Sequence, residues 1–433
     1  MKLLNSILIL ASLALVAVLF SFGNAVPALS CLVLTGAAFA APEMRAYCHA
    51  NTLTNLIPDA YRALEVVSRE LVGLIPSVQL DPSADVIGLN QTIRIPAAPA
   101  NTAGKDITPA MSFPTAAYQT IANTSHTLTK SRAFPFSWTQ EEQKNLSVPG
   151  GPGFLSIQQQ QIAQALRAAV NEMEVDIAVA AKNGASRAFG ATAGTAPVLA
   201  DWAQAKKILD DNGAPMTDRS SVFDTTAGVG LRGTSNLFKV NEAGDAGALL
   251  RQGILGNLYG FSLRESAQIQ STTKGTAASA TTDNAGYAVG ATTLTLASAG
   301  TGTIVAGDIL TFAGDSNKYV VKTGDTDVSD GGTIVLNEPG LKVAMSAATK
   351  AITVFGTSAR NLAFSRNAIL FSTRLPASAP NDLAIDRQVV TDPNSGISFE
   401  LAMYPGYRMV HYEVSAVWGV TVIKPAHVAV IVG

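Results

Sequence analysis

A carboxylate run, Asp325-Thr-Asp327-Val-Ser-Asp330-Gly-Gly332, has the spacing of an oxygen-ligand loop for calcium. Its sixth position is Asp330, where the turn of such a loop needs glycine, and its twelfth is Leu336, where a bidentate glutamate belongs. The run therefore reads as a solvated turn. Gly150-Gly-Pro-Gly153, after Pro149, looks like a phosphate cradle but lacks the spaced second glycine with Lys and Ser/Thr, and its prolines remove amide donors. It reads as a helix start. Gly260-Phe-Ser262-Leu-Arg264 misses the second glycine of a nucleophile elbow and sits in a strand-like stretch. His49, His126, His411 and His427 are scattered with no paired spacing, and Asp210-Asp211 and Glu141-Glu142 lie where helix ends or polar faces are solvated. Cys31 and Cys48 make neither a disulfide framework nor a zinc site. No catalytic set survives, so the expectation is a protein that is not an enzyme, with no cofactor, no metal and no small-molecule substrate.

The elements that would position any of these residues suggest another kind of work. The 433 residues leave room for two or three domains. Charged residues are 14% and hydrophobic ones 47%, so little surface is protected by charge, as extensive subunit contact would explain. A net charge of -2 gives no basic footprint, so any association with DNA would be by enclosure.

Between Gly150 and Gly190 the chain can form one uninterrupted helix, Leu155 to Lys182, with Ile162, Leu166, Val170, Met173, Ile177 and Ala181 as its buried stripe. Upstream, Leu3 to Phe22 is apolar and Ala38-Phe39-Ala40 fits a small-x-small cleavage site, while Met44 offers an in-frame start. From Pro58 a helical stripe of Tyr61, Leu64, Val67, Leu71 and Ile75 runs to Pro76. Gln91 to Pro96 and the alternating stretches Tyr118–Thr129 and Arg132–Trp138 make a long hairpin with one buried face, which needs a partner to lie on. After the long helix come a short helix at Asp201–Asp211 closed by Asn212-Gly213, short strands and turns through Asn241, a helical piece near Ala246–Gln252 and a strand at Leu258–Glu265. Five or six short strands from Thr292 to Phe355, at even spacing, read as a small antiparallel barrel inserted in the larger domain, able to fold alone as 285–356. Strands at Ala368–Thr373, Ile397–Tyr404, Tyr407–Val422 and Val428–Val432 close the chain.

This order, with the stretches Ala50–Pro58, Ser68–Gly73, Thr129–Arg132, Val170–Glu172, Ile208–Pro215, Arg264–Ala267 and Thr272–Gly275, resembles the major capsid (coat) proteins of tailed double-stranded DNA bacteriophages. These have the Hong-Kong-97-type fold, and the chain looks most like the coat family of the short-tailed Salmonella phage group, which carries an extra barrel. The resemblance implies an α+β fold with an N-arm at 44–90, an E-loop at 91–138 and a P-domain with its spine helix at 139–190. It further implies an A-domain from 191 to 284, the inserted barrel at 285–356 and closing strands at 357–433. The apolar residues 1–43 have no counterpart and are expected to be absent from the working subunit, because export and cytoplasmic assembly exclude each other.

What the resemblance implies for partners is self-assembly into hexamers and pentamers of an icosahedral head, with a scaffolding protein and a portal, around double-stranded DNA enclosed without sequence-specific binding. The localisation implied is the virion capsid, assembled in the host cytoplasm. Candidate assembly contacts are Arg94, Lys130 and Arg132 on the hairpin and Asp325, Asp327 and Asp330 on the acidic turn. An encapsulin-like cargo compartment and a secreted β-rich surface or adhesin protein remain the alternatives.

Overall fold

The computed structural model describes residues 72–97, 122–146, 154–190, 192–234, 256–378, 382–393 and 395–433. The apolar segment 1–43, the stripe from Tyr61 to Leu71, the hairpin tip, the Gly150–Gly153 loop, the helical piece near Ala246, His49 and both cysteines lie outside these residues. In chain order, a 3-10 turn at Ile75–Ser77 leads to β1 (Gln79–Ile87), β2 (Thr92–Ala97), β3 (Ala122–Thr127), β4 (Lys130–Thr139) and α1 (Gln140–Leu146). Next come α2 (Phe154–Asn183), β5 (Arg187–Phe189), α3 (Leu199–Asp211), β6 (Arg219–Phe223) and α4 (Thr225–Arg232). The remaining strands are β7 (Asn257–Leu258), β8 (Phe261–Glu265), β9 (Ser271–Thr272), β10 (Thr293–Leu296), β11 (Ile309–Phe312), β12 (Lys318–Thr323), β13 (Gly332–Leu336) and β14 (Ile352–Val354). They continue as β15 (Ser358–Ser365), β16 (Ile369–Pro376), β17 (Asp386–Thr391), β18 (Ser398–Gly406), β19 (Met409–Val422) and β20 (Val428–Val432). The architecture is mixed α and β.

At 30 residues α2 is about 45 Å long. Every member of its expected stripe is buried, from Ile162 at 1% exposure to Ala181 at 0%. Its end at Asn183-Gly184 has a packing cause: a Cβ on Gly184 would lie 2.6 Å from the Val422 side chain. Glycine there lets α2 meet β19, whose β-branched Val422 cannot swing aside. Glycine at the end of α3 serves a different need, since Gly213 has a φ of +72° and Ala214 N–H returns to the Leu209 carbonyl at 2.9 Å, an αL stop.

Two sheets flank α2. One runs β1-β16-β19-β18-β17, with β4 also paired to β19. Since Val417 and Trp418 of β19 face β4 while Val417 and its successors face β16, β4 and β16 occupy opposite edges of β19. The other sheet passes through β5-β20-β15-β6-β8-β7. On one of its faces Ala363, Ala429 and Ile431 pack with Trp202, Leu209 and Leu231 of α3 and α4. Alternation places the equally buried Leu362, Phe364 and Val430 on the other face.

Several expectations are corrected. Lys130–Thr139 belongs to the chain's own six-stranded sheet through β19, so among the described residues the hairpin that joins no other strand is β2 with β3. Leu258–Glu265 is two strands joined by Tyr259 (φ 50°) and Gly260 (φ 85°), a tight turn that needs positive φ twice. The stretch after β6 holds the helix α4, capped by Asp224, which accepts from Thr226 and Ala227 N–H. The strands β10 to β14 pair in the order β10-β13-β12-β11-β14, and the ring is completed by bridges from Thr282 to Leu296 and from Thr281 to Ala351. The unit expected at 285–356 therefore omits its closing segment. Its isolation is also broken at β12, which pairs with β5.

Candidate functional site

The polar face of α2 gathers the side chains that fix the sheets around it. Glu172 and Asp176 lie four residues apart on that face, and Lys130 and Arg132 two apart on β4, so each pair presents both charges to the other. Lys130 Nζ donates to Asp176 Oδ1 at 2.7 Å and approaches Glu172 Oε1 at 3.4 Å, while Arg132 Nε donates to Glu172 Oε1 at 2.8 Å. The second Asp176 oxygen accepts the Trp418 indole N–H at 2.8 Å. Burial acts to lower the Lys130 pKa, but hydrogen bonding and charge from Asp176 and Glu172 outweigh it and leave the amine above its ordinary value.

Lys130 and Arg132, expected at a contact between subunits, are thus engaged inside the chain. Their side chains stay 41% and 58% exposed, so each pair contributes modestly. Reversing both to Glu is expected to lower the stability of the subunit itself by about 1–2 kcal/mol in urea unfolding, because four carboxylates would then face one another. Converting Glu172 and Asp176 to Lys in that background should restore most of the loss. An unchanged urea midpoint in the double reversal would remove the network from the fold.

Between Glu172 and Asp176 in sequence, and so on the opposite side of α2, Glu174 is 1% exposed and has no cationic partner among the described residues. It accepts N–H bonds from Leu74 at 3.0 Å and Ile75 at 2.8 Å, and the Ser266 hydroxyl at 2.9 Å. Desolvation pushes its pKa up, and the amide and hydroxyl donors offset only part of that. The carboxylate thereby holds the 3-10 turn before β1 to the loop after β8. Sequence reading passed it over, although its spacing of four from Val170 and three from Ile177 puts a charge inside an apolar stripe.

Arg94 is on β2, exposed and opposite Ser125. The β2–β3 ladder joins no other strand among the described residues. Its root is fixed by His126, 0% exposed, whose Nδ1 is 2.8 Å from Thr421 Oγ1 of β19, and burial holds this imidazole below its ordinary pKa. The acidic turn between β12 and β13 serves its own backbone. Asp325 accepts the Asp327 N–H at 2.9 Å, and Asp327 accepts the N–H and hydroxyl of Ser329 at 3.0 and 2.7 Å, which lowers its pKa. Asp330 is exposed, and its carbonyl accepts the Ser298 hydroxyl at 3.2 Å. The structure brings Lys130 and Arg132 together and keeps Arg94 and the three aspartates apart from them.

Three of the four carboxylates expected to be solvated, Asp210, Asp211 and Glu142, have partners. Asp210 binds the buried Arg219 at 2.6 Å, Asp211 lies 3.8 Å from the buried Arg187, and Glu142 closes a reciprocal cap with Thr139. Among the described residues no group of three or more His, Cys, Asp or Glu side chains is placed to hold a metal ion. No described helix is long and apolar enough to cross a membrane.

Apolar side chains missed by sequence reading crowd one end of the six-stranded sheet. Leu383 is 78% exposed, Ile385 58%, Val389 47% and Tyr407 90%. They lie on or beside β17, the outer strand of its sheet, and in the turn between β18 and β19. A strand edge with apolar neighbours is a surface that natural proteins cover.

No family model and no curated protein matches the chain. Among solved structures, it is similar to one from Mycobacterium phage Che8, at 16% identity and a TM-score of 0.43 over 79% of this chain and 84% of that one. The capsid structure of the Cyanophage P-SCSP1u gives 11% identity and a TM-score of 0.44 over 82% and 86%. A virus-like particle from Pyrococcus furiosus gives 7% and 0.37 over 87% and 98%.

Proposed function

We propose that the chain is a coat subunit that assembles with copies of itself, as hexamers and pentamers, into a closed icosahedral head around double-stranded DNA. The observation that carries this reading is the β2–β3 hairpin. A two-stranded ribbon is marginally stable in water unless one face is covered, and Ile93 and Ile95 share a face that the subunit covers only in part. A neighbouring copy would cover the rest. The exposed apolar edge at β17 supports the same reading, since a repeated heterologous contact needs two complementary surfaces on every subunit.

In this reading the E-loop shrinks to about 91–129, α2 is the spine of the P-domain, and β5, β6, β8, β15 and β20 belong to the A-domain. The ring from β10 to β14 is the inserted barrel, starting near residue 275 rather than 285. Arg94, at the exposed side of the hairpin, remains the candidate for a contact with a neighbour, and the acidic turn keeps Asp327 and Asp330 free to face one. Scaffolding protein, portal and host cytoplasm are what the resemblance adds to this.

The test is assembly. Residues 44–433 expressed in the cytosol with the scaffolding partner encoded beside them should give megadalton particles that negative-stain electron microscopy shows as shells. Persistent monomers under those conditions overturn the reading.

A further inference from the structure

A cavity of about 100 Å³ lies between the last turns of α2 and the segment that runs from β8 into β9. Its polar lining comprises Lys182, Gln268, Gln270, Ser271, Thr272 and Arg360, so its two ionisable groups are both cations. A volume of this size holds several waters or one polyatomic ion.

Neither cation has an anionic partner there. Lys182 Nζ donates to the Thr272 hydroxyl at 3.0 Å. Arg360 is 2% exposed. Its two terminal nitrogens donate to the neutral Ser358 hydroxyl at 2.9 Å and the Gly356 carbonyl at 3.2 Å, and its Nε–H has no partner. Asp308 is the carboxylate whose charge reaches both, but its oxygens are held by the N–H groups of Gly275 and Val305.

Burying one charge is costly unless it is paired, and burying two of like sign side by side adds their repulsion. The consequences are visible in both groups. Burial first and the Arg360 charge second hold the Lys182 amine below its ordinary pKa, and burial brings Arg360 down to about 10. The C-terminal end of α2 favours a cation at Lys182, yet that dipole does nothing for Arg360 on β15. An anion between them would neutralise the pair and use hydroxyl and amide donors already on the wall.

We propose that this cavity is a binding site for a free inorganic oxyanion of the phosphate or sulfate class, held by Lys182 and Arg360, which fastens the end of α2 to β15 and to the segment before β9. The site stands on this chain's own side chains and does not depend on the assembly reading.

The test uses the full chain purified without phosphate or sulfate. At constant ionic strength, inorganic phosphate should raise the thermal midpoint saturably, with half-saturation in the low millimolar range. Chloride should not. Lys182→Met, which keeps the stem and removes the charge, should move half-saturation upward by about tenfold, whereas Lys207→Met on the exposed side of α3 should leave it unchanged. Equal effects of phosphate and chloride, or a wild-type response in Lys182→Met, overturn the site. Should Lys182→Met fail to fold, phosphorus NMR of wild-type protein decides: the phosphate line should broaden and be restored by sulfate but not by chloride, and an unbroadened line refutes the site.

Discussion

Replacing Glu174 by Ala is expected to destabilise the subunit by about 3–5 kcal/mol, since it strands buried donors from Leu74, Ile75 and Ser266 that now end on one carboxylate. Water can reach such a site only by prising the turn before β1 away from α2. Glu174→Gln keeps an acceptor oxygen in place and should cost about 1–2 kcal/mol. The two variants should also differ from wild type in pH dependence. Because the folded-state pKa of Glu174 lies above its ordinary 4.5, the fold prefers the protonated acid. That contribution is fully present below the unfolded value and is lost as pH rises through the folded value. Glu174→Gln removes it, so the gap between wild type and Glu174→Gln should narrow as pH rises through that window. Urea unfolding at several pH values measures both effects. If Ala and Gln cost the same, the donors are not held by the carboxylate as the structure has it.

Elements with a strong period were legible in the sequence, and the contacts between them were not. The α2 stripe from Ile162 to Ala181 repeats every three or four residues over a single buried face, and both ends of α2 came within a residue. The strand β20 is a continuous apolar run and stands where expected, and β16 and β19, whose apolar residues are interrupted by polar ones, overlap the strands expected at Ala368–Thr373 and Tyr407–Val422. What failed was assigning a partner to a strand. The alternation of Arg132–Trp138 says that one face is covered but not by what, and β4 lies along β19, where Trp138 is in register with Val410, 272 residues later in the chain. The same blindness sent Lys130 and Arg132 to a neighbour when Glu172 and Asp176 were waiting on the chain's own helix.

The ring of short strands shows the limit from the other side. Its strands were found by their Gly and Asp turns, but the residues that close it, Thr281 and Thr282, make isolated bridges inside a Thr, Ala and Gly-rich stretch that has the composition of a linker. Likewise, β12 falls within the stretch expected to fold alone as a barrel. Only the fold reveals that its edge is taken by β5, which makes the ring an extension of the larger sheet. The link has side-chain support: the Asn337 amide donates to the carbonyls of Asn183 and Ala185 at 2.7 and 2.9 Å, tying the ring to the end of α2.

Substituting Val for Gly419 is expected to displace the hairpin while leaving the rest of the subunit folded. Gly419 sits in β19 opposite Ser372 of β16, and a Cβ there would lie 2.4 Å from the Thr127 carbonyl oxygen and 2.9 Å from Leu128 Cα. Both obstacles are backbone, so no rotamer change relieves the clash and the chain after β3 must lift. That movement breaks the His126 contact to Thr421 and the Leu128 pairings with Asn90 and Gln91 that root the hairpin. Overpacking of this kind typically costs about 1–3 kcal/mol, and here the strain is concentrated where β3 crosses β19. Hydrogen exchange should therefore quicken at Ile93–Ile95 and Ser125–Thr127 while β6, β15 and β20 keep their protection. Under the assembly reading, a hairpin pointing elsewhere cannot lie on its neighbour, so particle yield should fall by at least about tenfold, since that loss corresponds to only about 1.4 kcal/mol per contact. Normal particles from a variant whose hairpin exchanges fast would separate the hairpin from assembly and sink the role given to it.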